Sequence, residues 1–354
     1  MRRRTFLGGL AAAMLAPRVA RSATDRVLVV YLARGGWDVS YVFDPHFGDG
    51  VHNDPGSSIQ TAGSLEWAGA PSRPTVSRFL QQHSSRAAIV NGLAVGSISH
   101  DMCTRLLFTA RRTPDAAGLP TVVLSGPRFP GAFGGAQVAL NPTLSAIGQE
   151  DLDPAVEGFL ADEALKHGHV EAHTGLARLD TFIQNAGDLA VSQGASWESA
   201  LDAGLKALAG GLSRCVVVEG TTPVLAQWDS HVDNAKNQDV CFEHGFSELE
   251  TISRRLDDLG LRDRAVVLAV SEMGRTPRRN SVNGKDHWPY TSLLAWGSGV
   301  QAGMHGQTDA SLVGQAIDGA ALTPARLGAG VLEHFDVDPQ PFYGDASPWR
   351  GLWS

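Results

Sequence analysis

The residues Arg26–Ala33, RVLVVYLA, form an unbroken β-branched and apolar run that stops at Gly35-Gly36, as a strand buried on both faces would. Such a strand needs a packed layer on each side, which limits the chain to folds in which a sheet is covered twice. Similar short runs follow at Ala87–Leu93, Thr121–Leu124, Cys215–Val218, Ala265–Val270 and Ser292–Trp296. Within Phe242–Leu259, the residues Phe242, Phe246, Leu249, Ile252, Leu256 and Leu259 recur at three- and four-residue steps and stop before Gly260. That is one apolar helical stripe with a glycine end. Strand, helix and strand in this order predict right-handed crossovers and an α/β fold: three layers, α/β/α, around a mostly parallel sheet. Residues 23–354 read as a single domain. Residues 155–210, richer in Ala, His and polar residues, read as a helical cap insertion.

The start of the chain has a different character. Arg2, Arg3 and Arg4 lead into Thr5-Phe6-Leu7 and a short apolar run to Ala16, followed by the small residues Ala20, Ser22 and Ala23. A positive start, a brief apolar stretch and small residues in that order describe a cleavable export signal over residues 1–22. The string Arg3-Arg4-Thr5-Phe6-Leu7 resembles the twin-arginine signal, which implies a passing partnership with the twin-arginine translocase and a periplasmic or secreted location. The apolar run is too short for a permanent membrane anchor.

A formal net charge of −8 without a Lys/Arg block after the signal argues against nucleic acid as a partner. Cys103, Cys215 and Cys241 are too few and too scattered for a disulfide framework. No G-x-G-x-x-G follows the first strand and no G-x-S-x-G elbow occurs, so dinucleotide binding and α/β-hydrolase chemistry are both disfavoured.

In a parallel sheet, chemistry gathers at the carboxyl ends of the strands. The first strand delivers Gly35-Gly36-Trp37-Asp38, and the Cys215–Val218 strand leads to Trp228-Asp229-Ser230-His231. Ala265–Val270 ends in Ser271-Glu272-Met273-Gly274-Arg275, and Gly284-Lys285-Asp286-His287-Trp288 follows. Taken singly, an Asp after a strand usually caps a helix and a lone His usually just hydrogen-bonds. Gathered from several strand ends, carboxylates and imidazoles are ligands for one or two divalent ions: zinc, manganese, magnesium or calcium. His167, His169 and His173 include a helical chelating pair, read as a solvated face.

The strings GGWD, WDSH, SEMGRTP and GKDHW, in this order after a twin-arginine signal, resemble domain-of-unknown-function family 1501, which is grouped with the alkaline phosphatase and sulfatase superfamily. The resemblance runs over nearly the whole chain after the signal. It implies an alkaline phosphatase-like fold and metal ligation by Asp38, Asp229, His231, Glu272, Asp286 and His287. Met273 stands where the superfamily carries a His ligand. Thr109-Ala110-Arg111 resembles the Thr-Gly-Arg that follows the sulfatase nucleophile, and counting back places His100 on the nucleophile position. There is no C-x-P-S-R motif, so formylglycine chemistry is not supported. Ser99 or Thr104 as an alkoxide, or His100 as ligand or nucleophile, remain open, beside the plain reading in which Ser99 caps a helix. Arg275 and Lys285 flank the ligands as cations for an oxyanion.

Together these readings predict a metal-dependent hydrolase of a small phosphate or sulfate ester. The alternative is a non-catalytic, metal-stabilised binding or assembly protein on the same fold. The export reading has its own test: replacing Arg3 and Arg4 together by Lys should hold the precursor in the cytoplasm in a fractionation experiment. Undiminished arrival in the periplasm through the general secretory route would refute it.

Overall fold

In a computed structural model of the chain, the first apolar run becomes strand β1 (Val27–Leu32), buried along its whole length. The structure describes residues 26–48, 50–54, 56–112, 119, 138–139, 196–210, 214–223 and 226–354. β1 lies inside a seven-stranded sheet with β4 (Ala87–Ala94), β5 (Val138–Ala139), β6 (Cys215–Glu219), β7 (Ala265–Val270), β10 (Tyr290–Gly297) and β11 (Gly303–His305). The order is β11-β4-β10-β7-β1-β6-β5, while β2 (Ser58–Ala62) pairs with β3 (Leu65–Gly69) and β8 (Gly274–Arg275) with β9 (His287–Trp288) in two small separate sheets. β6 and β7 flank β1 in parallel, and β5 and β11 run parallel to their neighbours β6 and β4. Only β10 is reversed, pairing antiparallel with both β4 and β7. The mostly parallel sheet expected from the sequence is present, with that one inversion.

Alternate residues of β1 feed two separate cores. Val27, Val29 and Tyr31 face helices α1 (Pro74–His83), α3 (Trp197–Ala209) and α4 (Asn234–Asp258), which supply Phe79, Leu205, Phe242, Phe246 and Leu249. Leu28, Val30 and Leu32 face helices α2 (His100–Thr109) and α5 (Pro324–His334), which supply Cys103, Leu107, Leu327 and Val331. Two helical layers thus cover the sheet, because a strand apolar on both faces leaves neither to water. Each fully buried Leu or Phe contributes about 1.5–3 kcal/mol of burial free energy.

The helix read from the Phe242–Leu259 stripe is real but longer, beginning at Asn234. Its polar first turns carry no apolar periodicity and are buried through Asn234 and Gln238 instead. Gly260 takes φ +66° just beyond it, as a glycine end should. α3 corrects the cap reading over its span. Leu201, Leu205 and Leu208 are buried in the same core as β1, so this helix is part of a layer and not a cap. The remainder of the expected cap, its three histidines, the Thr121–Leu124 run and the export signal lie outside the described residues. Among the described residues, no helix is long and apolar enough to cross a membrane.

Aromatic packing fixes the loops that leave the sheet. Trp37 and Trp228 meet edge-on at 6.2 Å, and Phe242 of α4 lies 6.1 Å from the first and 5.0 Å from the second. Each tryptophan immediately precedes an acid, Asp38 or Asp229, so core packing sets where those carboxylates start.

A buried and a half-buried histidine should make the fold acid-sensitive. Burial, then nearby arginines, push His83 down to about 4; it packs 4.3 Å from Phe79. Burial, then Arg26, push His334 down to about 4; it stacks on Trp353 at 4.0 Å. Both groups bind a proton more readily in the unfolded chain, near 6.5, than in the folded one. Stability is therefore complete above about 6.5 and declines as the pH falls toward 4. Thermal melts across that window should show the decline, and His83→Gln should flatten it; an unchanged slope would refute the assignment.

Candidate metal centre

The carboxyl ends of β1, β6 and β7, together with the start of α2, converge on a group of imidazoles around Asp229. Ligand atoms of His100, Asp229 and His287 all lie within 4.8 Å of one another. His287 Nε2 is 3.1 Å from Asp229 Oδ1, His231 Nε2 is 3.2 Å from the same oxygen, and His100 Nε2 is 3.4 Å from Oδ2. His231 Nε2 and His287 Nε2 face each other at 2.9 Å.

What stands behind each ring decides its tautomer. His287 Nδ1 is 2.7 Å from the carbonyl of Ile98, which can only accept, so Nδ1 carries the proton. His231 Nδ1 lies 3.1 Å from Asp286 Oδ1, and His100 Nδ1 lies 2.6 Å from Glu272 Oε1. By the same reasoning both donate. All three rings then present an Nε2 lone pair inward, as metal-binding histidines do when their outer N–H is held. Two such lone pairs 2.9 Å apart repel unless a cation or a proton stands between them. His100 Nε2 is buried and makes no well-directed hydrogen bond, only the 3.4 Å approach to Asp229 Oδ2.

The residues present therefore fit a divalent cation: three imidazole nitrogens and a carboxylate. The 3.1–3.4 Å approaches of the imidazoles to Asp229 are close to the roughly 3.3 Å expected between neighbouring ligand atoms with ~2.0–2.1 Å bonds in tetrahedral geometry; His231 joins through Asp229 and His287, beside the close group of His100, Asp229 and His287. Without a cation, the Asp229 and Glu272 carboxylates raise His100 to about 9, although burial opposes them. For Asp229, burial favours the neutral acid, but His100, Arg275 and His287 around it hold the carboxyl well below the usual range. Asp286 is also held low, first by His231 and then by Asn280.

Three residues expected as ligands do something else. Glu272 is fully buried, accepts the Gly35 N–H at 2.9 and 3.1 Å, and orients His100. Asp286 stands on the outer side of the His231 ring. Asp38 is fully buried and lies 2.7 Å from Lys285 Nζ, outside the group. The two expected oxyanion cations are also committed. Lys285 is used by Asp38, and Arg275, fully buried, donates to the carbonyls of Gly35, Gly36, Trp228 and Lys285 and to Asp229 Oδ1 at 2.6 Å. Neither guanidinium nor ammonium has a face left for substrate.

Of the three nucleophile candidates, His100 joins the imidazole group. Thr104 is buried and its hydroxyl donates to the His100 carbonyl at 2.8 Å. Ser99 sits at the N-cap of α2 with no side-chain capping bond. Two groups escaped the sequence reading. Arg34, between β1 and the Gly35-Gly36 turn, pairs with exposed Asp101 at 2.7 Å beside His100. Glu219 ends β6 with Oε2 buried and unpartnered, and burial raises its pKa. The signal for both was their place at a strand end.

His231→Ala or His287→Ala should lower bound divalent metal in elemental analysis, and Glu272→Gln should weaken affinity by roughly 10–100-fold. Affinity should also climb with pH toward about 9, because the metal displaces the proton of His100. Full metal content in both His variants would eliminate the site.

The chain is similar in fold to several solved structures. The lipoteichoic acid synthase LtaP from Listeria monocytogenes aligns at 10% identity over 92% of this chain and 76% of its own, with a TM-score of 0.45. A protein in the alkaline phosphatase superfamily from Vibrio parahaemolyticus aligns at 12% identity over 90% and 68%, TM-score 0.41. The phosphonate monoester hydrolase SpPMH from Silicibacter pomeroyi aligns at 10% identity over 92% and 78%, TM-score 0.42. No curated protein sequence matches the chain. Residues 206–352, the stretch that carries Asp229, His231, Glu272, Arg275 and His287, match the model of the family described as "Protein of unknown function (DUF1501)".

Proposed function

We propose that the protein is a metal-dependent hydrolase of phosphate or sulfate esters. The observation that carries this reading is the set of three imidazole lone pairs and one carboxylate turned inward, each ring locked by an acceptor behind it. His100, Asp229, His231 and His287 would hold the ion. Imidazole-rich donors favour zinc; the Asp229 carboxylate also admits manganese, while magnesium and calcium, which prefer oxygen alone, fit the set less well. A divalent cation supplies Lewis acidity toward an anionic ester.

The chain's own groups prepare the remainder. Arg275 keeps Asp229 ionised and aimed, and Glu272 keeps the His100 Nδ1 proton on the side away from the centre. The first N–H groups of α2 precede its first turn of hydrogen bonds, since Cys103 N–H is already bonded to the Ser99 carbonyl. They and Arg34 favour a negatively charged group beside His100. Ser99, at the N-cap with no side-chain capping bond, is the remaining hydroxyl among the nucleophile candidates.

The non-catalytic alternative is favoured by one observation: two of the three nucleophile candidates, His100 and Thr104, are already engaged. Turnover separates the readings. Nitrophenyl phosphate, bis-nitrophenyl phosphate and nitrophenyl sulfate, each with zinc or manganese, should give metal-dependent hydrolysis that His287→Ala abolishes. If Ser99 is the nucleophile, Ser99→Ala should cost on the order of 10⁴-fold in rate at unchanged metal content. A small loss would assign the attack to water. No hydrolysis of any ester with either metal would decide for the binding protein.

A further inference from the structure

Arg34 lies between the end of β1 and the Gly35-Gly36 turn, and the peptide groups on both sides of it are held by the segment that ends β7. The Ala33 N–H donates to the Val270 carbonyl at 2.9 Å, and the Ala33 carbonyl accepts from Ser271 Oγ at 2.7 Å. The Gly35 N–H donates to the Glu272 carboxylate at 2.9 and 3.1 Å. Glu272 is also the acid that holds His100 Nδ1 at 2.6 Å. The Arg34 side chain is thus launched from a fixed base beside the imidazole group. Its guanidinium donates through Nη2 to Asp101 Oδ1 at 2.7 Å and makes no other hydrogen bond among the described residues. Asp101 follows His100 in the first turn of α2, and among the described residues its carboxylate accepts from Arg34 alone.

The pair is unequal. The Arg34 side chain is 26% exposed and anchored, whereas that of Asp101 is 87% exposed and supplies one oxygen. A contact so open is weakened by water and salt. A tetrahedral oxyanion can instead take a guanidinium through two parallel donors, a stronger arrangement. The other acid that feels Arg34 is Glu219, opposite Leu32 at the end of β6. Burial pushes its carboxyl up toward the neutral acid and leaves Oε2 without a partner, so it competes little for the cation. We propose that Asp101 is a built-in stand-in for the anionic group of the substrate, occupying Arg34 at rest and giving it up when a phosphate or sulfate group enters the metal centre. This rests on the anionic-ester reading above and makes Asp101 a regulator of affinity at that site. Removing a charged residue from the rim of the site should then tighten binding.

Calorimetric titration of the zinc-loaded, full-length protein with inorganic phosphate and with inorganic sulfate tests the exchange. Asp101→Asn should bind the preferred anion about two- to fivefold more tightly than wild type, the factor by which an exposed ion pair competes, at unchanged zinc content. Asp101→Ser, which keeps a short polar side chain in the first turn of α2, should repeat the gain. Arg34→Ala should lose about tenfold in affinity, and in that background Asp101→Asn should add nothing, because the two residues act as one pair. Simple repulsion between Asp101 and the anion would give the same gain with or without Arg34 and would overturn the proposal. Unchanged or weaker binding in both Asp101 variants would overturn it too, as would zinc-loaded protein that binds neither anion. Wild type that takes up no zinc would refute the metal centre alone; an Asp101→Asn gain that disappears with Arg34, read with the same anions, would still uphold the exchange.

Discussion

The site depends on the guanidinium of Arg275. It sits in β8 (Gly274–Arg275), paired with β9 (His287–Trp288), and bonds the carbonyls of Gly35, Gly36, Trp228 and Lys285 as well as the Asp229 carboxylate. One planar cation therefore ties three strand-end segments to the ligand they surround. Its fork of fixed donors suits this task, which a lysine could not perform. The turn it holds is demanding: Gly35 and Gly36 take φ +125° and +85°. A Cβ on Gly35 would lie 2.8 Å from the Trp228 side chain, and one on Gly36 would lie 3.1 Å from Arg275 itself. The glycine pair is the condition under which the arginine can reach the backbone.

Around that pin, burial sorts the charged groups by task. Glu272, Asp38, Arg275 and Lys285 are fully buried, and each is paired or bonded to backbone, since an uncompensated charge there would be severely destabilising. Asp229 and His231 retain exposure, as does Asp286 behind the His231 ring. The buried set holds geometry, and Asp229 and His231 can meet an incoming ion. Mounting the ligands at the ends of β6 and on β9, backed by the Trp37–Trp228–Phe242 contacts, keeps them on rigid elements.

The strands themselves were legible because a doubly covered strand must be apolar at every position, and β1 and β7 satisfy that rule without exception. The gathering of acids and histidines at strand ends was legible for a related reason: parallel strands bring their carboxyl ends to one edge. Asp229, His231 and His287 were expected as ligands on this ground, and the structure brings them together. The antiparallel course of β10 was not legible, since an apolar run has no direction in its composition. His100 was left open between ligand and nucleophile; its place in the imidazole group follows from where α2 begins relative to β9, a contact between segments nearly two hundred residues apart.

The sequence by itself determined the layered α/β architecture, the strand-end location of the chemistry and the residue types gathered there, because periodicity and burial are local consequences of side-chain chemistry. Only the tertiary structure decided which acid faces a ligand position and which stands behind a ring. Glu272, Asp286 and Asp38 are chemically equivalent to Asp229 in one dimension. In three, the distances of 2.6 Å to His100, 3.1 Å to His231 and 2.7 Å to Lys285 turn the first two into orienting acceptors and the third into half of a buried ion pair. Charge pairing falls off within a few ångströms, so it is settled by packing and not by order along the chain.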